Sequence, residues 1–460
     1  MKKILLFAAT AVILSSCSIY GKYQRDEKLT EVTDSLYRAD MVDPNSTDTT
    51  SLGSVPWEEM FTDPCLQNLI ETGLKHNVNL QSAILRVEQA KAQLYAAKWA
   101  YSPTLNLVPQ GGLTSVDGNK ASWNYNVGAA ATWDIDLFGS LLNAKRGSQA
   151  ALLQQQAYQQ AVRSQIIATI ANTYYALMML DEQVAISKES VDLWREQVRT
   201  MEAWMQGGRV NASSVTQARA NLYGLEASYS NLLMSRRETE NALCSLVGMP
   251  YFEIERTTLA DQVIPEEMKV GIPLQLLSNR PDVYQAEMAL ASAYYNTNRA
   301  RSAFYPAIKL TGSAGWTNSV GQAIANPAGW LLSALGQLTQ PIFNHGQLRA
   351  NLKVSKAEEE IARLNYRQAL LNAGEQVNNA LHAIETNEDM LQKHTAQCED
   401  LKKTVISTEK LFMNTSGTTY LNLLTAQQSL LSAQLNVVND KYQLLQSVVT
   451  LYQSLGGGKE

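Results

Sequence analysis

The sequence has few of the residues from which catalytic and metal sites are built. Its 460 residues include four histidines and four cysteines. His76, His345, His382 and His394 do not stand at metal-ligand spacing from one another or from a cysteine. The chain also lacks a serine nucleophile elbow, a phosphate-binding loop and a dinucleotide fingerprint. The sequence therefore predicts no enzyme, no bound metal and no conventional cofactor.

Disulfides, membrane-spanning helices and excess positive charge are not predicted either. Beyond the N-terminal region, no apolar run reaches the roughly 20 residues that a spanning helix needs. Cys65, Cys244 and Cys398 are scattered and odd in number, which indicates small buried side chains and no disulfide framework. The formal net charge is −5, and removal of residues 1–16 with their two lysines lowers it to −7. Such a chain is not expected to bind nucleic acid.

The N-terminus has the features of an export signal. Two lysines precede an apolar stretch, residues 4–14, which is too short to span a membrane. The Leu-Ser-Ser-Cys sequence at 14–17 then resembles a bacterial lipoprotein box, which predicts a signal peptide at 1–16 and a covalent lipid on Cys17. The alternative is an ordinary secretory signal with a chance cysteine. Ser18, where an aspartate would favour the inner membrane, favours a lipid-anchored protein of the cell outer membrane with a long periplasmic part.

Two halves of the chain repeat the same features about two hundred residues apart. The repeat is too long for a solenoid and indicates duplication of one unit: strand, strand, long helix, return helix. The paired segments are 101–105 with 304–308, 136–139 with 341–346, 216–222 with 424–430, and 246–248 with 455–457.

Helical patterns in both halves are longer than globular helices usually are. The pattern after Phe138 continues for about 65 residues, which corresponds to about 100 Å. Apolar residues recur every seven positions in both long helices and at three-and-four spacing from Leu421 to Tyr452 in the last helix, which predicts left-handed coiled coils. The seven-residue series are Ile170, Leu177, Val184, Val191, Val198 and Met205, and Leu370, Val377, Ile384, Leu391, Cys398, Val405 and Phe412. Glycines predict hairpin tips at about 205–212 (Gly207, Gly208) and about 412–418 (Gly417).

Four segments alternate between apolar and polar residues, as β-strands do. They are about 103–113, 121–137, 306–317 and 329–343, and the last is the least regular. One apolar face with aromatic residues near its ends is typical of a transmembrane barrel, although two soluble hairpins packed on a core would also alternate. An open sheet edge is costly in lipid, and known single-chain barrels begin at about eight strands. Four strands would therefore need other copies of the chain to close a barrel.

Several motifs give the chain a family resemblance. They are 63–70 with 77–80, the Arg280-Pro281-Asp282-Val283 sequence, Ala286-Glu287, and Phe304-Tyr305-Pro306. With these, the chain resembles the TolC-like outer membrane factors, in the lipoprotein branch that serves resistance-nodulation-division efflux pumps. The resemblance implies a mainly α fold with β: a homotrimer whose 12-stranded outer-membrane barrel stands on a long periplasmic α-helical barrel.

The resemblance also divides the chain. It implies a lipidated, extended segment at 17–60, a first structural repeat at 61–248, an equatorial linker at 249–277 and a second repeat at 278–460. The matching prolines have architectural explanations. Pro281 suits the first position of a helix, where Arg280 and Asp282 can pair or cap. Pro103 and Pro306 stop helices at helix-to-strand junctions.

The implied function is an outer-membrane exit duct with a gate at the periplasmic helix tips. Asn422, Thr425 and Ser214 align with positions where the family often has acidic residues, so this gate would hold without a carboxylate ring; the alternative is that these side chains only pack. The implied partners are a periplasmic adaptor that docks near Gly207, Gly208 and Gly417, an inner-membrane pump and outer-membrane lipid. Type I protein secretion, metal efflux and a structural lipid-anchored coiled coil are the alternative functions.

Overall fold

The computed structural model describes residues 20–25, 36, 38, 51–115, 120–263, 279–317, 330–414 and 419–459. These residues divide into two units, each built from both halves of the chain. The first unit takes its described residues from Met1–Glu27, Leu85–Ala157 and Tyr284–Gln368, and the second from Lys28–Ile84, Tyr158–Val283 and Ala369–Glu460.

The first unit contains a four-stranded antiparallel sheet. Its strands are β1 (Thr104–Thr114), β2 (Ser122–Ile135), β3 (Ala307–Thr317) and β4 (Trp330–Thr339). They pair in chain order, so β1 and β4 form the two edges. Because β2 belongs to the first half of the sequence and β3 to the second, their pairing joins the halves into one sheet.

The strand register puts most apolar residues of the four strands on one face. Val127 of β2 lies opposite Trp316 of β3, and Ile308 of β3 lies opposite Leu338 of β4. Side chains directly opposite each other in an antiparallel pair share a face, so the alternation within each strand becomes one continuous apolar surface. This surface is open in the single chain. The other face carries mainly Thr, Asn, Ser, Gln and Gly, with Val108 on β1 and Leu335 on β4 as apolar exceptions.

Two strands are shorter than the alternation predicts. β4 ends at Thr339 and not near 343, because Pro341 has no N–H to continue the ladder. β2 ends at Ile135 and not near 137. The Asp136 carboxylate instead accepts a hydrogen bond from the backbone N of Leu142 in the next helix, at 2.7 Å. Strand pairing therefore ends where the chain turns into that helix.

Helices make up most of the remaining described chain. They are α1 (Trp57–Met60), α2 (Pro64–His76), α3 (Val78–Trp99), α4 (Ser140–Gln206), α5 (Ala212–Leu246), α6 (Pro281–Ser302), α7 (Gln347–Asn414) and α8 (Tyr420–Ser454). The two long helices, α4 and α7, have 67 and 68 residues. Within the described ranges, no helix combines the length and the apolar content that crossing a bilayer would require.

The seven-residue series becomes a buried seam over much of the second unit. On α4 the residues Ile170, Leu177 and Val191 are buried, and on α7 Leu370 and Val377 are buried. These positions lie where coiled-coil packing requires apolar side chains.

The seam of α8 departs from the prediction at its first residue. Leu421 was predicted to begin it but is 62% exposed, whereas Tyr420, Leu423 and Leu424 are buried. Leu424 is buried as the seam predicts, and only its first member differs, because Tyr420 in place of Leu421 joins an apolar cluster with the first helical hairpin. Leu421 therefore lies on the open side of the helix, beside Asn422.

The two halves end in equivalent ways. Gly248 follows α5 with φ +75°, and a Cβ on it would lie 2.5 Å from the backbone oxygen of His76. Gly456 follows α8 with φ +88°, and a Cβ on it would lie 2.3 Å from the backbone oxygen of Asn279. Each glycine ends a helix in the left-handed conformation: Gly248 lies against the junction between α2 and α3, and Gly456 lies against the residues just before α6. This equivalence is one residue earlier than the sequence pairing of 246–248 with 455–457.

Candidate functional site

Both junction prolines lie one residue before a strand. Pro103 precedes β1 and Pro306 precedes β3. Close to these junctions the ring of Phe138 stacks on the ring of Tyr305, with centroids 4.9 Å apart. The indole N–H of Trp133 donates to the backbone oxygen of Tyr101 at 2.8 Å. Aromatic contacts and prolines thus fix the direction in which the strands leave the helices.

Arg280, Pro281 and Asp282 form a helix start with a buried guanidinium. Pro281 is the first residue of α6. Arg280 donates to both carboxylate oxygens of Asp282 (2.9 and 2.5 Å) and to Gln376 on α7 (2.8 Å). It also donates to the backbone oxygen of Ser454 at the end of α8, at 3.0 Å. The motif therefore joins three helices, and its contacts are structural.

The polar face of the sheet carries almost no charge. Asp134 on β2 and Lys309 on β3 are the only charged residues of the four described strands, and they are cross-strand partners. The Lys309 Nζ lies 3.5 Å from the Asp134 Oδ1, and the side chains are 50% and 60% exposed. The charges are paired and open to solvent on that face.

The first helical tip is a tight turn that contains Gly207 and Gly208. Gly208 has φ +73°, and a Cβ on it would meet nothing within 4 Å. Asn211 then begins α5 by accepting hydrogen bonds from the backbone N and the hydroxyl of Ser214, at 2.8 and 2.9 Å. The open space around Gly208 leaves this turn free on its outer side. Gly417, the corresponding glycine of the second tip, lies outside the described residues.

Next to the turns, an apolar cluster joins the first hairpin (α4 and α5) to the second (α7 and α8). Trp204 of α4 contacts Phe412 of α7 with ring centroids 5.4 Å apart, and Phe412 contacts Tyr420 of α8 at 6.2 Å. The guanidinium of Arg209 lies 5.7 Å from the Trp204 ring centroid. We call Trp204, Phe412 and Tyr420 the tip latch. Burial raises the pKa of Tyr420, which keeps its hydroxyl neutral at physiological pH.

The three predicted gate residues differ in their surroundings. Asn422 and Thr425 are exposed on α8, and the Thr425 hydroxyl donates to the backbone oxygen of Leu421 at 2.8 Å. Ser214 is half-buried on α5 beside the buried Val215. Asn422 and Thr425 share the open face of α8, whereas Ser214 is bound into the start of its own helix.

Within the second unit, a buried carboxylate at the start of α2 binds the linker and α4. The Oδ2 of Asp63 accepts hydrogen bonds from Tyr174 (2.9 Å), Thr257 (2.5 Å) and Gln262 (2.9 Å), and its Oδ1 accepts one from the backbone N of Cys65 (2.8 Å). Burial alone would raise the pKa of Asp63, but these hydrogen bonds outweigh it and lower the pKa. Asp63 is therefore a charged acceptor at neutral pH.

A second polar contact holds the linker nearby. Arg256 donates to the Asp181 carboxylate of α4 (2.5 and 3.1 Å) and to Glu240 of α5 (2.8 Å). Burial opposes the charged form of Arg256, but the hydrogen bonds and charges of these two carboxylates raise its pKa. The start of the predicted linker is thus bound to the first hairpin, while residues 264–277 lie outside the described part.

The described chain contains no cluster of three or more His, Cys, Asp or Glu side chains that could hold a metal ion. Cys17, the predicted lipid attachment residue, lies outside the described residues, as does the signal peptide.

Sequence reasoning missed the tip latch, the Asp134–Lys309 pair and the Asp63 junction. The two strand charges are visible in the sequence, but their pairing needs the β2–β3 register. Phe412 stands in the seven-residue series, so the sequence did mark it as a packing residue. The partners of Asp63 are up to 199 residues away, and no local pattern indicates them.

Sequence comparison gives a family match over most of the chain. The model of the family described as "Outer membrane efflux protein" matches residues 69–249 and 272–457. The toluene efflux pump outer membrane protein TtgC of Pseudomonas putida is 28% identical, with 99% of this chain and 96% of that protein covered. The cation efflux system protein CusC of Escherichia coli K12 is 26% identical, with 99% of each chain covered.

Solved channel structures have the same fold. The open state of the MtrE outer membrane channel of Neisseria gonorrhoeae matches with a TM-score of 0.82 and 27% identity, over 90% of this chain and 94% of that one. A crystal structure of CusC matches with a TM-score of 0.84 and 25% identity, over 96% and 100%. The chain is therefore similar to outer-membrane channels along nearly its whole length.

Proposed function

This chain belongs to the outer membrane efflux protein family, and from that membership we propose how it works as the outer-membrane exit duct of a tripartite efflux pump. Three copies close one barrel from their sheets, and the helical hairpins of the same copies form a tunnel on the periplasmic side. Small toxic compounds pass through passively. The energy for transport comes from an inner-membrane pump.

The observation that carries this proposal is the four-stranded sheet with one continuous apolar face and two open edges. An apolar face of this kind is stable against lipid tails, and the polar face then borders water. In lipid, each unpaired backbone group at an edge costs several kcal/mol, so β1 and β4 need partners. β4 of one copy pairing with β1 of the next satisfies both edges, and three copies give twelve strands.

The helices that adjoin the edge strands carry matching apolar seams. α3 precedes β1 and buries Val87, Ala90 and Leu94 against Leu152 of α4. Its open side carries large exposed apolar side chains, as does the first part of α7, which follows β4. These exposed side chains are Leu85, Tyr95 and Trp99 on α3, and Val354, Ile361 and Leu364 on α7.

Both sets follow coiled-coil spacing, so they are suited to packing helix against helix. In the proposed trimer, α7 of one copy packs against α3 of the next. The contact therefore joins two different surfaces of the chain. Repetition of such a contact closes into a ring when the rotation allows it. The sheet edges and the helix seams therefore favour the same ring.

The gate of this duct lies at the helix tips. Asn422 and Thr425 are uncharged and lie on the open face of α8, so the gate closes by constriction and hydrogen bonding and not by a carboxylate ring. A periplasmic adaptor protein docks at the outer side of the tips, near Gly207, Gly208 and Gly417, and separates the hairpins. A lipid on Cys17 anchors each copy to the outer membrane.

A double-cysteine substitution that links the two hairpin tips tests the gate. Under oxidising conditions the linked protein should insert in the membrane but fail to support efflux, and a reducing agent should restore efflux. Each single-cysteine variant is the control, because it cannot form the intramolecular bridge. Efflux that persists with the bridge formed would contradict a gate at the tips.

Accumulation of amphiphilic dyes in cells with and without this gene tests the function. A deletion strain should accumulate more dye, and complementation should restore the lower level. Tolerance to copper and silver ions and the set of secreted proteins, measured in the same strains, separate the alternatives. A defect confined to metal tolerance would assign the duct to cation efflux, and a defect confined to secretion would assign it to protein export.

A further inference from the structure

From the polar face of the sheet we propose that Asp134 and Lys309 set the charge selectivity of the barrel, by forming a ring of three neutralised ion pairs at its helix end. The inference rests on the proposed function, because it takes the polar face of the sheet to be the water-filled lumen. It adds a statement about selectivity: the lumen does not discriminate between positive and negative solutes.

The strand sequences make this pair the only source of charge on the described barrel wall. All other described strand residues are uncharged. Asp134 is the next-to-last residue of β2 and Lys309 the third residue of β3, so the pair stands at the end of the sheet that is next to α4 and α6. Solute moving from the helices into the barrel meets this ring first.

The geometry shows two charges that both reach water. Their atoms are 3.5 Å apart, and more than half of the Asp134 side chain is exposed. An ion pair this exposed contributes little to stability. Its charges nevertheless act on passing ions, since charged rings are a main source of selectivity in pores.

Pairing has a direct consequence for cargo. Three aspartates alone would attract cations and repel anions, and three lysines alone would do the reverse. With both present in register, the fields largely cancel beyond a few ångströms, the more so because the Debye length is about 8 Å at physiological ionic strength. The barrel therefore passes amphiphiles of positive, negative and zwitterionic character with little discrimination.

Reversal potentials in planar bilayers test this inference with the full-length purified protein. Under a potassium chloride gradient around 0.1 M, Lys309→Gln should raise the ratio of potassium to chloride permeability about two- to four-fold relative to the unsubstituted protein. Asp134→Asn should lower it by a similar factor. The double neutral variant and the charge-swapped D134K/K309D variant should both stay near the unsubstituted value, since each has no net charge at the ring.

The outcomes separate this inference from the function on which it rests. Channels of unchanged selectivity in both single variants, or shifts of the same sign in both, would overturn the role of the pair while leaving the duct intact. Absence of channels even from Phe412→Ala, in which the tip latch is removed, with trimers present in the membrane, would overturn the proposed function itself. Opposite shifts that shrink as salt is raised to about 1 M support the inference, because screening then shortens the reach of each charge.

Discussion

Asp63 illustrates how one residue fixes the path of the chain in the second unit. It precedes Pro64, the first residue of α2, and its Oδ1 caps that helix through the backbone N of Cys65. Its Oδ2 at the same time accepts three side-chain hydrogen bonds, two of them from the linker residues Thr257 and Gln262. A local cap and a long-range junction thus depend on one carboxylate.

Replacing that carboxylate by an amide should destabilise the protein. In Asp63→Asn an NH₂ group would take the place of Oδ2. That group is a donor, and it would face the three donors whose hydrogen bonds Oδ2 now accepts. We expect the free energy of unfolding to fall by about 2 kcal/mol, measured by thermal unfolding at pH 7. Asp389→Asn, at an exposed residue on α7, is the matched control and should change it little. Equal stability of both variants would show that the junction contributes nothing.

The pH dependence of stability should change in the same variant. The pKa of Asp63 is lower in the folded protein than in the unfolded chain, so its contribution is complete above the unfolded value of about 4. That contribution is lost as pH falls through the lower folded pKa. The melting temperature of the unsubstituted protein should therefore fall more steeply below about pH 4 than the melting temperature of Asp63→Asn. Parallel pH profiles would argue against a charged Asp63.

Two glycines with nearly the same backbone conformation should respond differently to alanine. Gly208 and Gly248 have φ +73° and +75°, but only at Gly248 would the new Cβ meet backbone atoms, those of His76 and Asn77. Gly208→Ala should lower the free energy of unfolding by about 1 kcal/mol, because alanine is disfavoured in the left-handed conformation and nothing else opposes its Cβ. Gly248→Ala should lower it by more than about 3 kcal/mol, because helix and turn must also separate. Chemical unfolding followed by circular dichroism measures both.

At the scale of elements, the long helices are held by seams along most of their length and by the tip latch at their end. Phe412 is central to the latch because it contacts Trp204 on the first hairpin and Tyr420 on the second. Aromatic pairs of this kind contribute about 0.5 to 1.5 kcal/mol each beyond their buried area. The latch therefore favours hairpins that stay together.

Removing the Phe412 ring should loosen the tips and favour the open channel. Phe412→Ala should increase the open probability in planar bilayers several-fold and make cells more permeable to large antibiotics. Met413→Ala is the matched control, since Met413 is adjacent on α7 but 53% exposed. The proposed role would be contradicted by equal conductance of the two variants when both are present at normal levels in the membrane.

The elements differ in how far sequence alone could predict them. Alternation predicts strands at the four places where β1 to β4 lie, because one face of each strand is apolar and the period of two is local. The long helices follow from the seven-residue series for the same reason. The end of the α8 seam could not be predicted, because the burial of Tyr420 in place of Leu421 is decided by contact with another hairpin. The partners of Asp63 and the Asp134–Lys309 pair likewise depend on residues distant in sequence.

At the scale of the whole molecule, the proposed trimer has to satisfy the sheet and the helices together when its ring closes. The edge strands β1 and β4 adjoin α3 and α7, and these helices carry exposed apolar residues at coiled-coil spacing. A ring that pairs the edges also brings α7 of one copy towards α3 of the next. Burying such a seam is favourable by roughly 25 cal/mol per Å² of apolar area. We therefore expect assembly of the proposed trimer to depend on the helical seam as well as on strand pairing.

A charge placed in the seam should prevent the ring from closing. Ile361 is 57% exposed in the single chain and would be buried between α7 and α3 of two copies. In Ile361→Glu the carboxylate would be buried without a partner, which is strongly unfavourable. We expect monomers to replace most trimers, as measured by light scattering of the detergent-solubilised protein. Lys356→Glu is the matched control: it adds an acid to the same helix at an exposed position that faces about 140° away from Ile361 at 100° per residue, so its trimers should persist. If Ile361→Glu formed trimers as stable as those of Lys356→Glu, the copies would have to meet through other surfaces, and the seams of α3 and α7 would be free for a different partner.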